Sequence, residues 1–228
     1  MTRPSGPSAF GRPSICCAIL AAGDSSRFGG ANKLLAKFRG RPLLQHAVDA
    51  ARASNAVACL LIVGDDAEAI ENGIETRRCA IVHHAGWSEG IASSIRCAIA
   101  TRGDDDACIF LVGDEPFVGA GDINALIAEH EMHPKAIVAL RARKTWGTPA
   151  LFPNSDYAGL LRLKGDRGAK GYAERRARRL RFVSASHPQA FSDVDTRADL
   201  RRLASTRHPR IEKTRNSPVS RSGSSITS

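Results

Sequence analysis

Two cationic side chains, Arg27 and Lys33, lie on either side of a pair of adjacent glycines in the segment 19–35, ILAAGDSSRFGGANKLL. Small residues let backbone N–H groups approach phosphate oxygens closely, an arginine can bind two such oxygens, and a lysine supplies a mobile point charge. The segment is not a P-loop, because no lysine follows either glycine directly, and it lacks the G-x-G-x-x-G dinucleotide fingerprint. It is therefore either a phosphate-binding loop of another type or a loop whose charges are incidental.

A carboxylate, Asp114, directly follows the apolar run 107–113 and precedes a turn that ends at Pro116. Magnesium in proteins prefers hard oxygen ligands, often one or two carboxylates completed by substrate phosphates and water. Asp114 is therefore a candidate metal ligand. The alternative is that it caps the helix that follows.

The elements that would position these residues alternate between strands and helices. Continuous apolar runs typical of buried strands lie at 15–21, 56–64, 79–84, 107–113 and 136–140. Apolar residues at helical spacing lie between them, at 41–54, 65–75, 90–102 and 119–133. This pattern predicts a parallel sheet covered on both faces, in a single α/β domain of three layers, α/β/α. Ligands of such sheets bind beyond the carboxyl ends of the strands, so we expect the chemistry in the loops after the first, third and fourth strands.

The formal net charge is +10, and much of it lies at the ends of the chain. The tail, 206–228, is rich in Ser, Arg and Pro and carries five basic residues against one acidic residue. We expect this tail and the N-terminal arm, 1–13, to be disordered, which leaves 14–205 as the folded domain. A second basic run, 167–181, predicts a helix with a cationic face that is either solvated or attracts an anionic small substrate. No aromatic residues are interleaved with the basic residues of the tail, so nucleic acid is not an expected partner.

Nothing in the sequence indicates export or a membrane. No apolar run approaches the roughly 20 residues that span a bilayer, and the N-terminal segment lacks the apolar stretch of a signal peptide. The cysteines form no C-x-x-C pair and mostly lie within apolar runs: Cys16, Cys17, Cys59, Cys79, Cys97 and Cys108. We therefore expect a cytoplasmic protein without a membrane partner and with buried, reduced thiols, the alternatives being disulfides or a structural zinc.

Five segments, in the same order along the chain, resemble the nucleotidyltransferases with a glycosyltransferase-A-like Rossmann fold. LAAGDSSRFGGANKLL (20–35) resembles L-A-A-G-x-S-x-R-[MF]-G-x-x-K, and GWSEGIASSI (86–95) resembles W-x-x-G-x-x-x-S. FLVGDEPFV (110–118) resembles a G-D-x-P element, LKGDRGAKG (163–171) resembles L-x-G-D-x-G-A-R, and SDVDTRADL (192–200) resembles D-[IV]-D-T-x-x-D-L. The resemblance is greatest to the molybdenum cofactor cytidylyltransferase group. It implies a three-layer α/β/α Rossmann-like sandwich with a mostly parallel central sheet.

The chain departs from the cytidylyltransferase pattern at a few positions. The interval between Arg27 and Lys33 is one residue longer than usual, as it is in the sister guanylyltransferases. Glu115 stands where glutamine is common, and Lys170 replaces an arginine. The Ala-Gly pair that begins at Ala22 matches the cytidine form, whereas the guanine form usually has Gly-Gly. We give this pair more weight, because Ala22 would lie close to the base.

The resemblance implies roles for residues that match the family motifs. The implied nucleotide-binding residues are Leu20, Ala21, Ala22, Gly23, Ser25, Arg27, Lys33, Gly90 and Ser94. The implied acceptor-binding residues are Trp146, Gly147, Pro149, Gly165, Asp166 and Gly168. Arg27, Lys33 and Asp114 would be catalytic. Asp114 and Asp195 would hold Mg²⁺, with Asp193 a weaker candidate.

The implied reaction is the Mg²⁺-dependent transfer of CMP from CTP to a molybdopterin-type molybdenum cofactor, with release of pyrophosphate. Positioning, cations and the metal do most of the catalysis in such a reaction. The alternatives are a guanylyl- or other NTP transferase that acts on a different phosphorylated acceptor, and a cofactor chaperone without turnover. The implied partners are the two small-molecule substrates, with a molybdoenzyme or its maturation chaperone as a further candidate.

Overall fold

The computed structural model describes residues 11–23, 28 and 32–205. A seven-stranded sheet forms its centre, and a separate pair of two-residue strands lies beside it. The strands in chain order are β1 (Ile15–Ala21), β2 (Lys37–Phe38), β3 (Arg41–Pro42), β4 (Ala58–Val63), β5 (Ala80–His83), β6 (Ala107–Val112), β7 (Ile137–Ala142), β8 (Thr145–Pro153) and β9 (Leu180–Ser184).

The order of strands across the sheet is β5-β4-β1-β6-β8-β7-β9, and β2 pairs with β3. The first four of these strands are mutually parallel, β7 and β9 are also parallel, and β8 runs antiparallel to both of its neighbours. The prediction of a mostly parallel sheet is confirmed. The chain runs from β1 to β4 on one side and returns to β6 on the other. The carboxyl ends of β1 and β6 therefore form a switch point, where ligands of such sheets bind.

Helices cover both faces of the sheet. They are α1 (Leu43–Arg52), α2 (Ala67–Gly73), α3 (Ile91–Arg102), α4 (Ala120–Met132), α5 (Tyr157–Leu160), α6 (Lys170–Glu174) and α7 (Arg197–Ala204). In the part of the chain that the structure describes, none of these helices has the length and apolar character needed to cross a membrane.

Successive residues of β1 belong to different cores on the two faces of the sheet. Ile19 belongs to the same apolar cluster as Leu44 of α1 and Ile123 of α4. Leu20 belongs to a second cluster, with Ile95 of α3. Because both faces are buried, the strand is apolar at every position rather than at alternate ones. The three-layer α/β/α single domain predicted from the sequence is thereby confirmed.

The basic run 167–181 does not form the single helix that the sequence predicts. Only the five residues of α6 and a short 3-10 turn are helical there, and β9 then begins. Arg176 and Arg179 both reach the buried carboxylate of Asp156, with Arg179 Nη2 2.7 Å from Asp156 Oδ2. These ion pairs hold the segment against the domain as it turns into β9, a tertiary effect that helical periodicity does not report.

Cys59 and Cys79 form a disulfide, so the expectation of reduced thiols is wrong for this pair. Cys59 lies in β4 and Cys79 directly precedes β5, where the register pairs Leu60 with Ala80. The two cysteines are therefore direct neighbours across parallel strands, with their Cα atoms 4.6 Å apart. Spacing in the sequence gave no indication of this contact, because it arises from strand register. The remaining cysteines are free thiols.

The last helix, α7, begins where the sequence predicts. The hydroxyl oxygen of Thr196 accepts a hydrogen bond from the backbone N–H of Asp199, and the Asp199 carboxylate accepts one from the backbone N–H of Thr196, each at 3.1 Å. Residues 1–10 and 206–228 lie outside the described residues. The limits of the domain and the disorder expected at both ends of the chain therefore stay predictions.

Candidate functional site

A cleft of about 500 Å³ lies at the carboxyl ends of β1 and β6. Small-molecule sites commonly have volumes of about 300–1,000 Å³. The residues predicted from the sequence that line this cleft are Leu20, Ala21, Ala22, Gly23, Lys33, Gly90, Ser94, Asp114, Asp166 and Asp195. The cleft thus collects residues from distant parts of the chain. Ser25 and Arg27, also predicted to bind the nucleotide, lie outside the described residues.

The ammonium group of Lys33 lies between two carboxylates. Its Nζ is 2.5 Å from Asp114 Oδ2 and 3.3 Å from Asp195 Oδ1. Lys33 begins a 3-10 turn that is fixed by Asn32, whose side-chain oxygen accepts a hydrogen bond from Leu34 N at 2.8 Å. Burial disfavours the charge of Lys33, but the two carboxylates outweigh this effect and raise its pKa above the ordinary value. Lys33 is therefore a cation at neutral pH.

Three aspartates face the cleft around this cation. Asp114 follows β6, while Asp193 and Asp195 lie in the segment before α7. Burial, and then the charges of Asp195 and Asp114, raise the pKa of Asp193 above its ordinary value. The carboxylates thus repel one another, and this arrangement favours the binding of cations.

Asp114 and Asp195 suit a hard divalent cation that also binds a phosphate ligand. Both carboxylates contact the same Lys33 Nζ, so they lie within reach of a single cation. Among the residues with described positions, no group of three or more His, Cys, Asp and Glu is arranged to hold a metal ion. Magnesium often takes only one or two carboxylates and completes its shell with water and substrate phosphates. The donor set therefore fits Mg²⁺ bound together with a nucleotide.

Gly90 brings the start of α3 against the loop that contains Gly165. Its backbone has φ +90° and ψ 179°, a conformation that is essentially restricted to glycine. A Cβ at Gly90 would lie 2.7 Å from the carbonyl carbon of Gly165 and would also contact the carboxylate of Asp166. The Gly165 carbonyl accepts a hydrogen bond from Ala92 N at 3.1 Å. This close approach places Asp166 at the cleft, whereas Gly165 and Gly168 lie near the start of α3 without lining the cleft.

The predicted acceptor residues Trp146, Gly147 and Pro149 do not line this cleft. They belong to β8, where the ring of Trp146 packs against that of Phe182 with centroids 5.7 Å apart. The ammonium of Lys170 lies 4.9 Å from the centre of the Trp146 ring. The side chain of Trp146 thus packs between Phe182 of β9 and Lys170 of α6, and these contacts join the sheet to that helix.

A buried glutamate joins this part of β8 to the cleft. Glu115 follows Asp114 in the chain, and its Oε2 accepts a hydrogen bond from the hydroxyl of Thr148 at 2.7 Å. Burial raises the pKa of Glu115 well above its usual range. The hydrogen bond from Thr148 acts to lower this pKa, whereas the charges of Asp114 and Asp193 raise it further. The loop that carries Asp114 is therefore fixed to β8.

Sequence reasoning assigned no role to Trp87, yet this residue and Ser88 line the cleft. The ring of Trp87 packs directly over Gly64, at the end of β4, where an added Cβ would lie only 2.9 Å from Trp87 Cγ. A glycine at the end of an apolar run permits such a close approach. The glycine at the end of this apolar run and the tryptophan in the segment 86–95 were therefore the features of the sequence that could have indicated this contact.

The fold and the cleft define an α/β protein of the Rossmann-like class, in which ligands such as nucleotides bind at the switch point of the sheet. The chain belongs to the MobA-like NTP transferase domain family, whose match covers residues 17–181. This family agrees with the superfamily that the five segments indicate. The match does not single out the cytidylyltransferase group.

Similar proteins have different functions. GlmU, a bifunctional protein of Pelobacter propionicus, is 31% identical over 134 residues, which are 57% of this chain and 28% of that protein. The 8-amino-3,8-dideoxy-manno-octulosonate cytidylyltransferase of Shewanella frigidimarina is 32% identical over 118 residues, 51% of this chain and 47% of that protein. Nicotine blue oxidoreductase of Paenarthrobacter nicotinovorans is 23% identical over 200 residues, 84% of this chain and 97% of that protein. The chain thus spans about a quarter of GlmU and about half of the cytidylyltransferase.

Solved structures resemble the whole described fold. Rv0371c from Mycobacterium tuberculosis H37Rv has a TM-score of 0.75 and 26% identity, covering 86% of this chain and 99% of that one. Its complex with manganese has a TM-score of 0.70 and 25% identity, covering 84% and 98%. Molybdopterin-guanine dinucleotide biosynthesis protein A from Archaeoglobus fulgidus has a TM-score of 0.63 and 17% identity, covering 83% and 96%, a likeness of fold.

Proposed function

We propose that this protein is a metal-dependent nucleotidyltransferase that transfers CMP from CTP to a molybdopterin-type molybdenum cofactor and releases pyrophosphate. The observation that carries the proposal is the position of Lys33 between Asp114 and Asp195 in the switch-point cleft. A fixed cation beside two metal-binding carboxylates suits a triphosphate and its metal. Membership of the NTP transferase family supports the same chemistry.

The proposed metal is Mg²⁺, held by Asp114 and Asp195. When bound, it would neutralise charge on the reacting phosphate and on the departing pyrophosphate. The manganese complex of the similar Rv0371c supports the use of a divalent cation.

The residues of the chain would position the phosphates and balance their charge. An oxygen of the acceptor phosphate attacks the α-phosphorus of CTP, and the bond from that phosphorus to the oxygen bridging to the β-phosphate breaks. Negative charge grows on the leaving pyrophosphate, where the ammonium group of Lys33 would stabilise it. Arg27, as predicted from the sequence, would share this role. Among the described residues, nothing lies within 4 Å of the position that a Cβ of Gly23 would occupy, which supports a close approach of the nucleotide to the end of β1.

The preference for CTP is proposed from Ala22. This residue lines the cleft at the end of β1, and its methyl group narrows the space in which the base would lie. A pyrimidine tolerates this methyl group better than the larger guanine. The similar Shewanella protein, a cytidylyltransferase by name, supports cytidine as well. The longer interval between Arg27 and Lys33 favours the alternative, a guanylyltransferase.

The acceptor is proposed to bind beside Asp166, where the loop containing Gly165 borders the cleft. Trp146 and its neighbours in β8 would affect the acceptor only indirectly, through Thr148 and Glu115. A molybdoenzyme or its maturation chaperone would receive the product.

Pyrophosphate release tests this proposal directly. Purified protein is incubated with molybdopterin cofactor and Mg²⁺, with CTP, GTP, ATP or UTP in separate reactions. We expect release with CTP above the other nucleotides, and loss of release in Asp114→Asn. Preferential release with GTP would make the protein a guanylyltransferase. If the protein binds a nucleotide but releases pyrophosphate with none of the four nucleotides, the result would favour the alternative of a cofactor chaperone without turnover.

A further inference from the structure

A second groove, outside the cleft, is lined by cationic side chains. It lies beside the loop between α5 and α6, has a volume of about 510 Å³, and its charged lining residues are Arg162, Lys164, Arg167 and Arg175. All of these residues are exposed. Within residues 32–205 the structure gives none of the four side chains a hydrogen bond or an ion pair. No described carboxylate therefore pairs directly with the cations of this groove.

Other cations in the same stretch of chain do have structural partners. Arg176 and Arg179 pair with the buried Asp156, and Arg181 pairs with Glu129. The ion pairs of these arginines give them a structural role in the fold. The unpaired side chains that line the groove have no such role in the described structure.

The backbone beneath the groove is held in place from the side of α3. Arg96 Nη1 donates a hydrogen bond to the carbonyl of Leu163 at 2.8 Å, and Ala92 N donates one to the carbonyl of Gly165 at 3.1 Å. Leu163 itself is buried and lines the floor of the groove. A fixed backbone reduces the entropy that a ligand must remove when it binds.

We propose that this groove binds a small anion that carries two or more phosphate groups. Its volume is that of a small-molecule site, and guanidinium groups bind phosphate oxygens in pairs. Four like charges around one groove repel each other, and a bound polyanion relieves that repulsion. Asp166, on the same loop, faces the cleft instead. The loop thus separates a nucleotide site from a polyanion site.

The phosphate groups would come from a free polyphosphate that binds independently of catalysis. The acceptor does not supply them, because its phosphate is the group that attacks CTP in the cleft.

Titration calorimetry with inorganic tripolyphosphate tests the site. It is performed at low salt and in EDTA, so that the metal-dependent cleft does not compete. The groove variant is Arg162→Gln with Arg175→Gln. The matched control is Arg178→Gln, because Arg178 is an exposed arginine in the neighbouring turn that does not line the groove. We expect Kd to rise about tenfold or more in the groove variant, a loss of about 1.4 kcal/mol or more, and to change less than about twofold in the control.

Equal affinity in the three proteins would overturn the proposal, as would the absence of saturable binding to the wild type. Binding of a short RNA that depends on the groove arginines, while tripolyphosphate binding does not, would overturn it in favour of nucleic acid. A third variant, Arg167→Gln, removes a different charge of the groove and should also raise Kd. It keeps the test decisive if the double glutamine variant fails to fold.

Transfer assays then test whether the groove acts independently of catalysis. Both KM values should stay unchanged in the groove variant while tripolyphosphate binding is lost, and a raised KM for the acceptor or for CTP would overturn the assignment to a free polyphosphate. The calorimetry does not require turnover, so failure of the proposed function would leave its result standing.

Discussion

Replacement of Gly90 by alanine tests how the start of α3 is seated against the loop at Gly165. Alanine in the backbone conformation of Gly90 costs about 1–3 kcal/mol. The added methyl group would also lie 2.7 Å from the carbonyl carbon of Gly165 and 2.8 Å from its oxygen. Carbon atoms normally pack at about 3.5–4.0 Å, so the loop must move. Such overpacking typically costs a further 1–3 kcal/mol or so. We therefore expect the free energy of unfolding to fall by about 2–6 kcal/mol.

Two measurements read this change separately. Urea unfolding gives the loss of stability, and titration with CTP and Mg²⁺ gives the nucleotide affinity, which should also fall because Gly90 and Asp166 both line the cleft. The matched control is Gly121→Ala. Gly121 lies in α4, its φ is not positive, and no atom of the described residues lies within 4 Å of its Cβ position. Alanine there should therefore stabilise the protein by about 0.5–1 kcal/mol.

The reasoning is refuted if Gly90→Ala keeps its stability within about 0.5 kcal/mol of the wild type and binds CTP equally well. That result would mean that α3 and the loop do not approach each other as closely as described. A loss of CTP affinity with unchanged stability would instead show that the loop moves away and removes Asp166 from the cleft.

Three further changes test other parts of the molecule. Asp114→Asn should remove most metal-dependent transfer while leaving the melting temperature near that of the wild type, because a charge is lost without a change of volume; near wild-type turnover at saturating Mg²⁺ would contradict the metal-binding role. The wild type should prefer CTP over GTP by about 10- to 200-fold in kcat/KM, and Ala22→Gly should reduce this preference without reversing it; a wild type that prefers GTP would contradict the cytidylyltransferase assignment. Reduction of the Cys59–Cys79 disulfide should lower the free energy of unfolding by about 3 kcal/mol in urea titrations. A Cys59→Ala/Cys79→Ala variant should not respond to the reductant, and an equally large response there would place the effect elsewhere.

The parallel half of the fold was predictable because its strands are buried on both faces. Runs such as 15–21 and 107–113 are apolar at every position, which only a sheet covered on both sides requires. β8 and β9 were not predicted. β8 contains Gly147 and Pro149, which weaken the strand pattern. β9 directly follows a basic segment in which Arg176 and Arg179 pair with the distant carboxylate of Asp156.

The centre of the cleft was predictable because Lys33 and Asp114 both follow strands that lie side by side in the sheet. The position of Trp146 was not, because it depends on how β8 pairs with β7, where Trp146 lies opposite Arg141. Trp87 lines the cleft because it packs over Gly64. This is a contact between distant segments, which no local sequence pattern indicates.

The disulfide between Cys59 and Cys79 also changes which parts of the sheet can open on their own. β5 is an outer strand, and an outer strand ordinarily separates from its neighbour before the rest of a sheet unfolds. Here the start of β5 is covalently joined to β4, which is fully within the sheet and hydrogen-bonded to β1. β5 cannot detach completely while β4 remains in place. The smallest cooperative unit at this edge is therefore the pair of strands, and the edge is protected from exchanging its partner for a strand of another chain.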